Sequence, residues 1–523
     1  MSLLSREGSR ARSINMCTRD QRRTIHTKPS QATPSPASAS AITKADLHDL
    51  VDIYDTRHQY PPPDFQPWED DAPLSDGTGL GIIGPEVLDT KPWDEDYFTN
   101  NAYLSYASEP WSNTAHILEA LSTLLQDPLT PHADLYLLYK RLPGNRVNYI
   151  PRETLGPLLS HLMRIPSSRF QKGYASDFLG VLYDMRAEGV PISIAMWTSA
   201  IRFIGLAEGA RNAVRLWREM ESHYGLKATN HTFSVLFDLA CKSQNFALAE
   251  MVEKEARERR IPLDRVSRMS RIFYHGLLGD GAGVRRSYAA LVEAGEIVDT
   301  AVLTCVITAL LDAGEPAAAE ETFSRMKTLH AEKKGATSAP HTWQQRRELR
   351  TLLTDAAHRY RDRPTDRQKF QDAAPINPDW RTYRAFISYH ARTTASFPAI
   401  ESLLLEMKKA SPSIPLNREI YRIIFHGFAK HGGIQVVDWN ARNLEVVWRS
   451  FERSCERRGE EEFGYDSVLA VAVVKAFLFV VGKGRAREVW ERLRERWVVE
   501  RGLEEFVESL LERKGRRRSW KGG

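Results

Sequence analysis

Apolar residues recur along the middle of the chain at positions i, i+3, i+4 and i+7. This spacing places them on one face of an α-helix. The stripe occurs five times, and its last members lie at positions 185, 220, 256, 291 and 326, in steps of 35 or 36 residues. A second helical stretch precedes the stripe in each unit, as in Met196–Phe203 and Thr232–Cys241. One member of the third stripe, Glu253, is polar.

Two helices per period of about 35 residues predict an all-α fold, an α-solenoid of stacked helix-turn-helix repeats. A single hairpin cannot bury its own stripe, whereas stacked neighbours can. The joints support this interpretation, because Gly189, Gly225 and Gly295 follow second helices where a left-handed C-cap is expected. The next helix is preceded by residues suited to N-capping: Ser193, Thr229, Asp264 and Asp299.

Changes in composition and register divide the chain into six parts. We expect a leader, a Pro/Asp-rich acidic segment with little structure, an N-terminal repeat array, a basic insertion, C-terminal repeats and a basic tail. Their bounds are 1–44, 45–112, 113–330, 331–375, 376–500 and 501–523, respectively.

The leader carries eight basic and two acidic residues, is rich in Ser and Thr, and lacks an apolar core segment. These features are typical of a mitochondrial transit peptide and predict a location in the matrix. A disordered basic tail is the alternative. No run of about 18 apolar residues occurs, so we expect no membrane span.

Charge is distributed unevenly along the chain. Residues 45–112 hold 15 acidic and two basic residues, whereas residues 113–523 carry a net charge of +12. A basic repeat region is suited to a phosphate backbone. The acidic segment is interpreted either as a solvated spacer or as a segment that binds a basic groove or a partner.

The sequence offers no recognisable catalytic or metal-binding constellation. The four cysteines are isolated, without Cys-x-x-Cys spacing, and the 15 histidines include no His-Glu-x-x-His motif. We therefore expect no enzyme, no metal site and no cofactor.

Several units open and close with recurring motifs. The openings include Met196-Trp197-Thr198, Thr232-Phe233-Ser234 and Asp379-Trp380-Arg381-Thr382-Tyr383, and Ala213–Met220 has the form Ala-x-x-Leu-Trp-x-x-Met. In these motifs the chain resembles the pentatricopeptide repeat family, mitochondrial type. The resemblance implies binding of single-stranded RNA along the concave face, with about one base per repeat.

In that family two positions of each repeat read the base. Carried over, the resemblance implies the pairs Thr198 with Thr229, Ser234 with Asp264, Met269 with Asp299, Arg384 with Asn417, and Arg422 with Asp466, together with Thr304, which lacks a clear mate because of the insertion. Only Ser234 with Asp264 is similar to a standard, purine-favouring pair. Met269 cannot hydrogen-bond a base edge, and Arg384 and Arg422 are suited to contacting phosphate, to stacking, or to pairing with acidic neighbours.

The expected function is therefore that of a mitochondrial RNA-binding helical-repeat protein in organellar gene expression, acting in transcript stability, processing, translation or ribosome assembly. Its expected partners are single-stranded or structured mitochondrial RNA, and also the mitochondrial ribosome or other proteins. The alternative is a protein-binding helical scaffold or a ribosome-associated structural subunit.

Overall fold

The computed structural model describes residues 42–52, 112–126, 132–163, 174–262, 264–332, 343–410, 416–432, 438–458, 467–496 and 501–512, together with 130, 340, 414 and 499. Every regular element within these ranges is a helix, and they contain no β-strand. The all-α prediction is confirmed.

Most helices within these ranges follow one another in pairs, with one additional helix before the array, one short helix between the first two pairs, one helix after the array, and two in the insertion. In chain order they are α1 (Lys44–Asp52), α2 (Ser112–Gln126), α3 (His132–Arg141), α4 (Arg146–Tyr149), α5 (Arg152–Leu162), α6 (Tyr174–Ala187), α7 (Ile194–Glu208), α8 (Ala210–Tyr224), α9 (Asn230–Lys242), α10 (Phe246–Glu258), α11 (Arg265–Leu277), α12 (Gly281–Glu293), α13 (Thr300–Asp312), α14 (Pro316–Glu332), α15 (Trp343–Arg359), α16 (Pro364–Ala373), α17 (Trp380–Tyr389), α18 (Phe397–Lys409), α19 (Arg418–His431), α20 (Ala441–Arg458), α21 (Ser467–Val480), α22 (Lys483–Arg496) and α23 (Arg501–Glu512).

The first helix of each hairpin packs on the first helix of the next. Contacts run from α7 to α9, α11, α13, α17, α19 and α21 in succession. At one of these contacts the backbones approach closely, since a Cβ added to Gly276 of α11 would lie 2.6 Å from the Cα of Ala309 in α13. The stripes are buried between hairpins, with Trp217 4% and Tyr288 0% exposed. The predicted α-solenoid of stacked helix-turn-helix repeats is confirmed.

The joints between hairpins have the backbone conformation that the sequence predicts. Gly189, Gly225 and Gly295 have φ of +69°, +64° and +82°. Arg260 occupies the equivalent joint after α10 and adopts φ of 55° without being glycine. Each of these positive φ values turns the chain out of a second helix toward the next hairpin.

The insertion lies outside the stack, because α13 packs directly on α17. Its second helix, α16, is attached to the turn before α13 by Gln371. The backbone N–H of Val298 donates to Gln371 Oε1 at 2.8 Å, and Gln371 Nε2 donates to the Val298 carbonyl at 2.8 Å. The Thr300 backbone N–H then donates to the Pro375 carbonyl at 2.8 Å. The array therefore continues past 331–375 without a break.

Helix α1 occupies the first eight residues of the segment that was expected to have little structure. Leu47, Leu50 and Val51 are 3–5% exposed and belong to the core of the array, where α1 contacts α12 and α14. The Tyr288 hydroxyl donates to the Leu47 carbonyl at 2.7 Å. Spacing of these apolar residues at i, i+3 and i+4 explains the helix. Residues 53–111 lie outside the described ranges.

Helix α23 occupies the first part of the predicted basic tail. Leu503, Val507 and Leu511, four residues apart, are 0% exposed, and α23 contacts α21 and α22. The array therefore ends in a further packed helix beyond residue 500. The basic stretch 513–523 lies outside the described ranges.

Candidate nucleic-acid interface

The predicted first-helix positions form one row. Each of them is the fifth residue of its helix, and consecutive first helices are in contact. Equivalent positions on stacked repeats line up on one face. We call this set the fifth-position row: Thr198, Ser234, Met269, Thr304, Arg384 and Arg422.

The predicted partners of this row are N-caps of the following first helix. Thr229, Asp264, Asp299 and Asn417 accept backbone N–H bonds from the third helical residue at 3.4, 2.8, 3.0 and 3.1 Å, respectively. Their side-chain oxygens thereby satisfy donors that a helix leaves unpaired at its start. Asp466 lies outside the described residues.

Hydroxyl groups of the row join one repeat to the next. Thr198 Oγ1 lies 2.8 Å from Thr232 Oγ1, and Ser234 Oγ lies 2.6 Å from Ser267 Oγ. Across the insertion, Thr304 Oγ1 lies 2.7 Å from Thr382 Oγ1. In each case the fifth residue of one first helix meets the third residue of the next. Thr198, Ser234 and Thr304 are only 2–3% exposed, so these hydroxyls are part of the repeat interface.

The structure brings one predicted pair into direct contact and links a second pair through a third residue. Ser234 Oγ lies 3.3 Å from Asp264 Oδ1, within hydrogen-bond distance. Thr198 is linked to Thr229 through Thr232, whose hydroxyl lies 3.2 Å from Thr229 Oγ1. Base reading by these pairs stays a prediction.

Other members of the predicted pairs have charged neighbours or apolar surroundings. Asp299 forms a buried ion pair with Arg265 at 2.7 Å, whereas Met269 is 5% exposed in the core. Arg422 Nη2 lies 2.5 Å from Glu419 Oε2 within the first turn of α19.

Asp379 is the N-cap of α17, and the sequence did not identify it as the partner of Thr304. It precedes α17 and accepts N–H bonds from Arg381 and Thr382 at 3.0 and 3.1 Å. Because α13 packs on α17, Asp379 occupies the place of the missing mate. The signal was present in the sequence, since Asp379 opens the strongest motif after the insertion.

Arginines concentrate where the row crosses α17 and α19. Arg381 is 7% exposed, and burial together with the charge of Arg384 lowers its pKa to about 9, so it remains protonated at neutral pH. Burial also lowers the pKa of Arg384. Glu419 opposes this shift, and the charges of Arg422 and Arg392 add to it. Like charges held this close favour an anionic ligand.

A second group of arginines joins the face from α7 and α15. Arg202 of α7 is 5% exposed, and burial lowers its pKa. Asp238 opposes this shift, and the charge of Arg350 in α15 adds to it. Burial likewise lowers the pKa of Arg346, with Asp379 opposing. The sequence showed α15 to be basic but not that it lies beside the first helices.

A π-helical turn, His390–Thr394, ends α17 and displays Arg392. The next first helix satisfies its carbonyls: Lys430 Nζ donates to the Arg392 carbonyl at 2.7 Å, and His431 Nε2 lies 2.8 Å from the Ala391 carbonyl. Such turns are frequent at functional sites. Here the turn keeps Arg392 near Arg384.

The described residues hold neither a cluster of metal ligands nor a membrane-spanning helix. No group of three or more His, Cys, Asp or Glu side chains within the described ranges is placed to hold a metal ion. None of the helices in this part of the chain combines the length and the apolar character needed to cross a bilayer.

Comparison with known proteins gives structural neighbours only. No protein-family model matches the sequence. No curated protein matches it. Similar solved structures include the pentatricopeptide repeat protein PPR10 from maize (15% identity, 76% of this chain and 57% of that chain, TM-score 0.32). The structure of the same protein in complex with an 18-nucleotide psaJ RNA element has 15% identity, covers 77% of this chain and 59% of that chain, and has a TM-score of 0.31. The structure of yeast Rmd9p in complex with a 16-nucleotide target RNA has 11% identity, covers 76% of this chain and 97% of that chain, and has a TM-score of 0.29. The chain thus spans less than two thirds of the PPR10 structures.

Proposed function

We propose that this protein is a pentatricopeptide-repeat-like RNA-binding protein that acts in mitochondrial gene expression, through transcript stability, processing, translation or ribosome assembly. One observation carries the RNA-binding part. Arg381, Arg384 and Arg422 lie together on the first-helix face, and burial weakens their contact with water. Guanidinium groups in such a setting bind phosphate oxygens in a bidentate geometry.

This face offers two kinds of contact to RNA, one to the backbone and one to the bases. Arg384 and Arg422 supply charge for the RNA backbone, which positions the strand without reading its sequence. Ser234 with Asp264 supplies hydrogen-bonding groups for a base edge, in competition with the Ser267 hydroxyl. Preference for sequence is therefore local, and most of the affinity is electrostatic.

The mitochondrial part of the proposal is supported by the leader, with eight basic residues against two acidic ones in 1–44. Helix α1 is anchored on the array, since the Tyr288 hydroxyl donates to the Leu47 carbonyl. Removal of a leader before residue 42 leaves this anchored helix intact.

A binding experiment tests the RNA face. Binding of a pool of 30-nucleotide RNAs is measured at several salt concentrations for the wild type, for Arg384→Ala with Arg422→Ala, and for Ser234→Ala. The double variant should lose affinity for all sequences alike. Its log–log salt slope should become shallower by ~1.4, at ~0.7 per phosphate contact on a single strand. Ser234→Ala should change preference at one position by ~1–3 kcal/mol.

The matched control is Arg211→Ala with Arg218→Ala, two exposed arginines on the second helix α8. It removes the same charge and should leave the slope unchanged. Circular dichroism checks that each variant is folded. Equal slopes for both double variants would contradict RNA binding on the first-helix face. A wild type that binds no RNA at low salt would favour the protein-binding scaffold or ribosome-associated subunit.

A further inference from the structure

Helix α15 is seated against the array through one short apolar contact. Leu353 and Ala356, 2% and 3% exposed, pack on Ile297 in the turn before α13 and on Ala374 at the end of α16. The Gln371 bonds to Val298 hold α16 in place beneath it. The C-terminal half of α15 is therefore anchored at the N-terminal end of a first helix.

The N-terminal half of α15 turns its basic side toward the array. Arg346 and Arg350 precede Leu353 by seven and three residues, on the same helix face, and both are partly buried. The charge of Arg350 acts on Arg202 in α7, and the charge of Arg265 in α11 acts on Arg350. Arg350 thus lies close to arginines of the first helices, whereas Arg346 lies close to the carboxylate of Asp379, the N-cap of α17.

The closeness of Arg350 to Arg202 and Arg265 raises the electrostatic energy of the ligand-free protein, and Asp238 offsets part of this effect at Arg202. Burial lowers the pKa of Arg202, Arg346 and Arg350, and repulsion from neighbouring arginines adds to the effect at Arg202 and Arg350. A negatively charged chain between α15 and the first helices would weaken this repulsion. A segment that mimics RNA and blocks the face would instead be acidic toward the array.

We propose that α15 forms the second wall of an anion slot, in which RNA phosphates bind between Arg346 and Arg350 on one side and Arg202 on the other. This inference rests on the proposed RNA-binding function and adds to it the insertion as a contact surface. The slot encloses the backbone from both sides, so it takes a single strand without regard to base sequence.

The test uses the full chain and a U30 oligonucleotide as the probe, titrated at 0.05 to 0.5 M salt. The wall variant is Arg346→Gln with Arg350→Gln. The control variant is Arg359→Gln with Arg361→Gln, which removes the same charge from exposed positions of the same insertion. A third variant, Leu353→Asn, loosens the seat of α15 and keeps all of its arginines.

The wall variant should show a salt slope shallower by ~1.4. If its binding curve meets that of the wild type near 1 M salt, this slope corresponds to roughly 25-fold weaker binding at 0.1 M. The control variant should keep the slope of the wild type. Leu353→Asn should also bind more weakly, because a detached wall no longer encloses the strand. Thermal melting shows whether the array itself remains folded.

Two results would overturn the slot alone. If the wall variant binds U30 as the wild type does, α15 does not contact the strand. If the wall variant or Leu353→Asn binds more tightly, α15 obstructs the face. In both cases loss of binding in Arg384→Ala with Arg422→Ala would leave the proposed function standing. A wild type that fails to bind U30 at 0.05 M salt would overturn both the slot and the proposed RNA-binding function.

Discussion

Replacement of Trp217 by alanine tests whether the stripes hold the array together. The indole lies between α8 and α9 with 4% of its surface exposed. Its ring meets Phe233 edge-to-face with centroids 5.5 Å apart, and the Arg259 guanidinium lies 5.7 Å from the ring centroid. Trp217 therefore joins its own hairpin to the first helix of the next.

The expected cost is ~3–5 kcal/mol, the range for removing a large aromatic side chain from a packed core. Within that total, the aromatic pair with Phe233 accounts for ~0.5–1.5 kcal/mol. The cation–π contact with Arg259 accounts for ~0.5–1 kcal/mol. The remainder is lost burial of the indole and the cavity that alanine leaves.

Urea unfolding followed by circular dichroism measures the change in the free energy of unfolding. Because each repeat contacts only its neighbours, amide hydrogen exchange should show the loss concentrated in α7–α10. The matched control is Arg218→Ala, the next residue of α8, which is exposed and should change stability by less than ~0.5 kcal/mol. A loss of less than ~1 kcal/mol in the free energy of unfolding for Trp217→Ala would show that the stripe does not stabilise the contact between hairpins.

Two further predictions concern the N-terminal part of the chain. Tyr288→Phe removes the donor to the Leu47 carbonyl, so we expect a loss of ~1 kcal/mol and faster amide exchange confined to α1, while unchanged exchange there would show that the bond does not hold α1. A fluorescent protein fused to residues 1–44 should enter mitochondria, and a cytosolic signal would contradict the transit-peptide interpretation.

Local and periodic features were predictable from the sequence alone. The 35-residue spacing of the stripes predicted the hairpins. It could do so because about eight neighbouring residues are enough to encode the periodicity of a helix and its apolar face. Caps such as Asp264 and turns such as the one at Gly225 depend on bonds only three to six residues apart. The fifth-position row followed from these two facts, since equal repeats stack with equivalent residues aligned.

Tertiary structure decided the features that depend on distant partners. Helix α1 has nine residues, which is too few for a stable isolated helix. It forms because Leu47 and its neighbours pack against α12 and α14. The contact between Thr304 and Thr382 spans 78 residues and depends on the insertion leaving the stack. The seat of Leu353 on Ile297 places the arginines of α15 beside the first helices. Such contacts arise from the way whole helices pack, which no short stretch of sequence encodes.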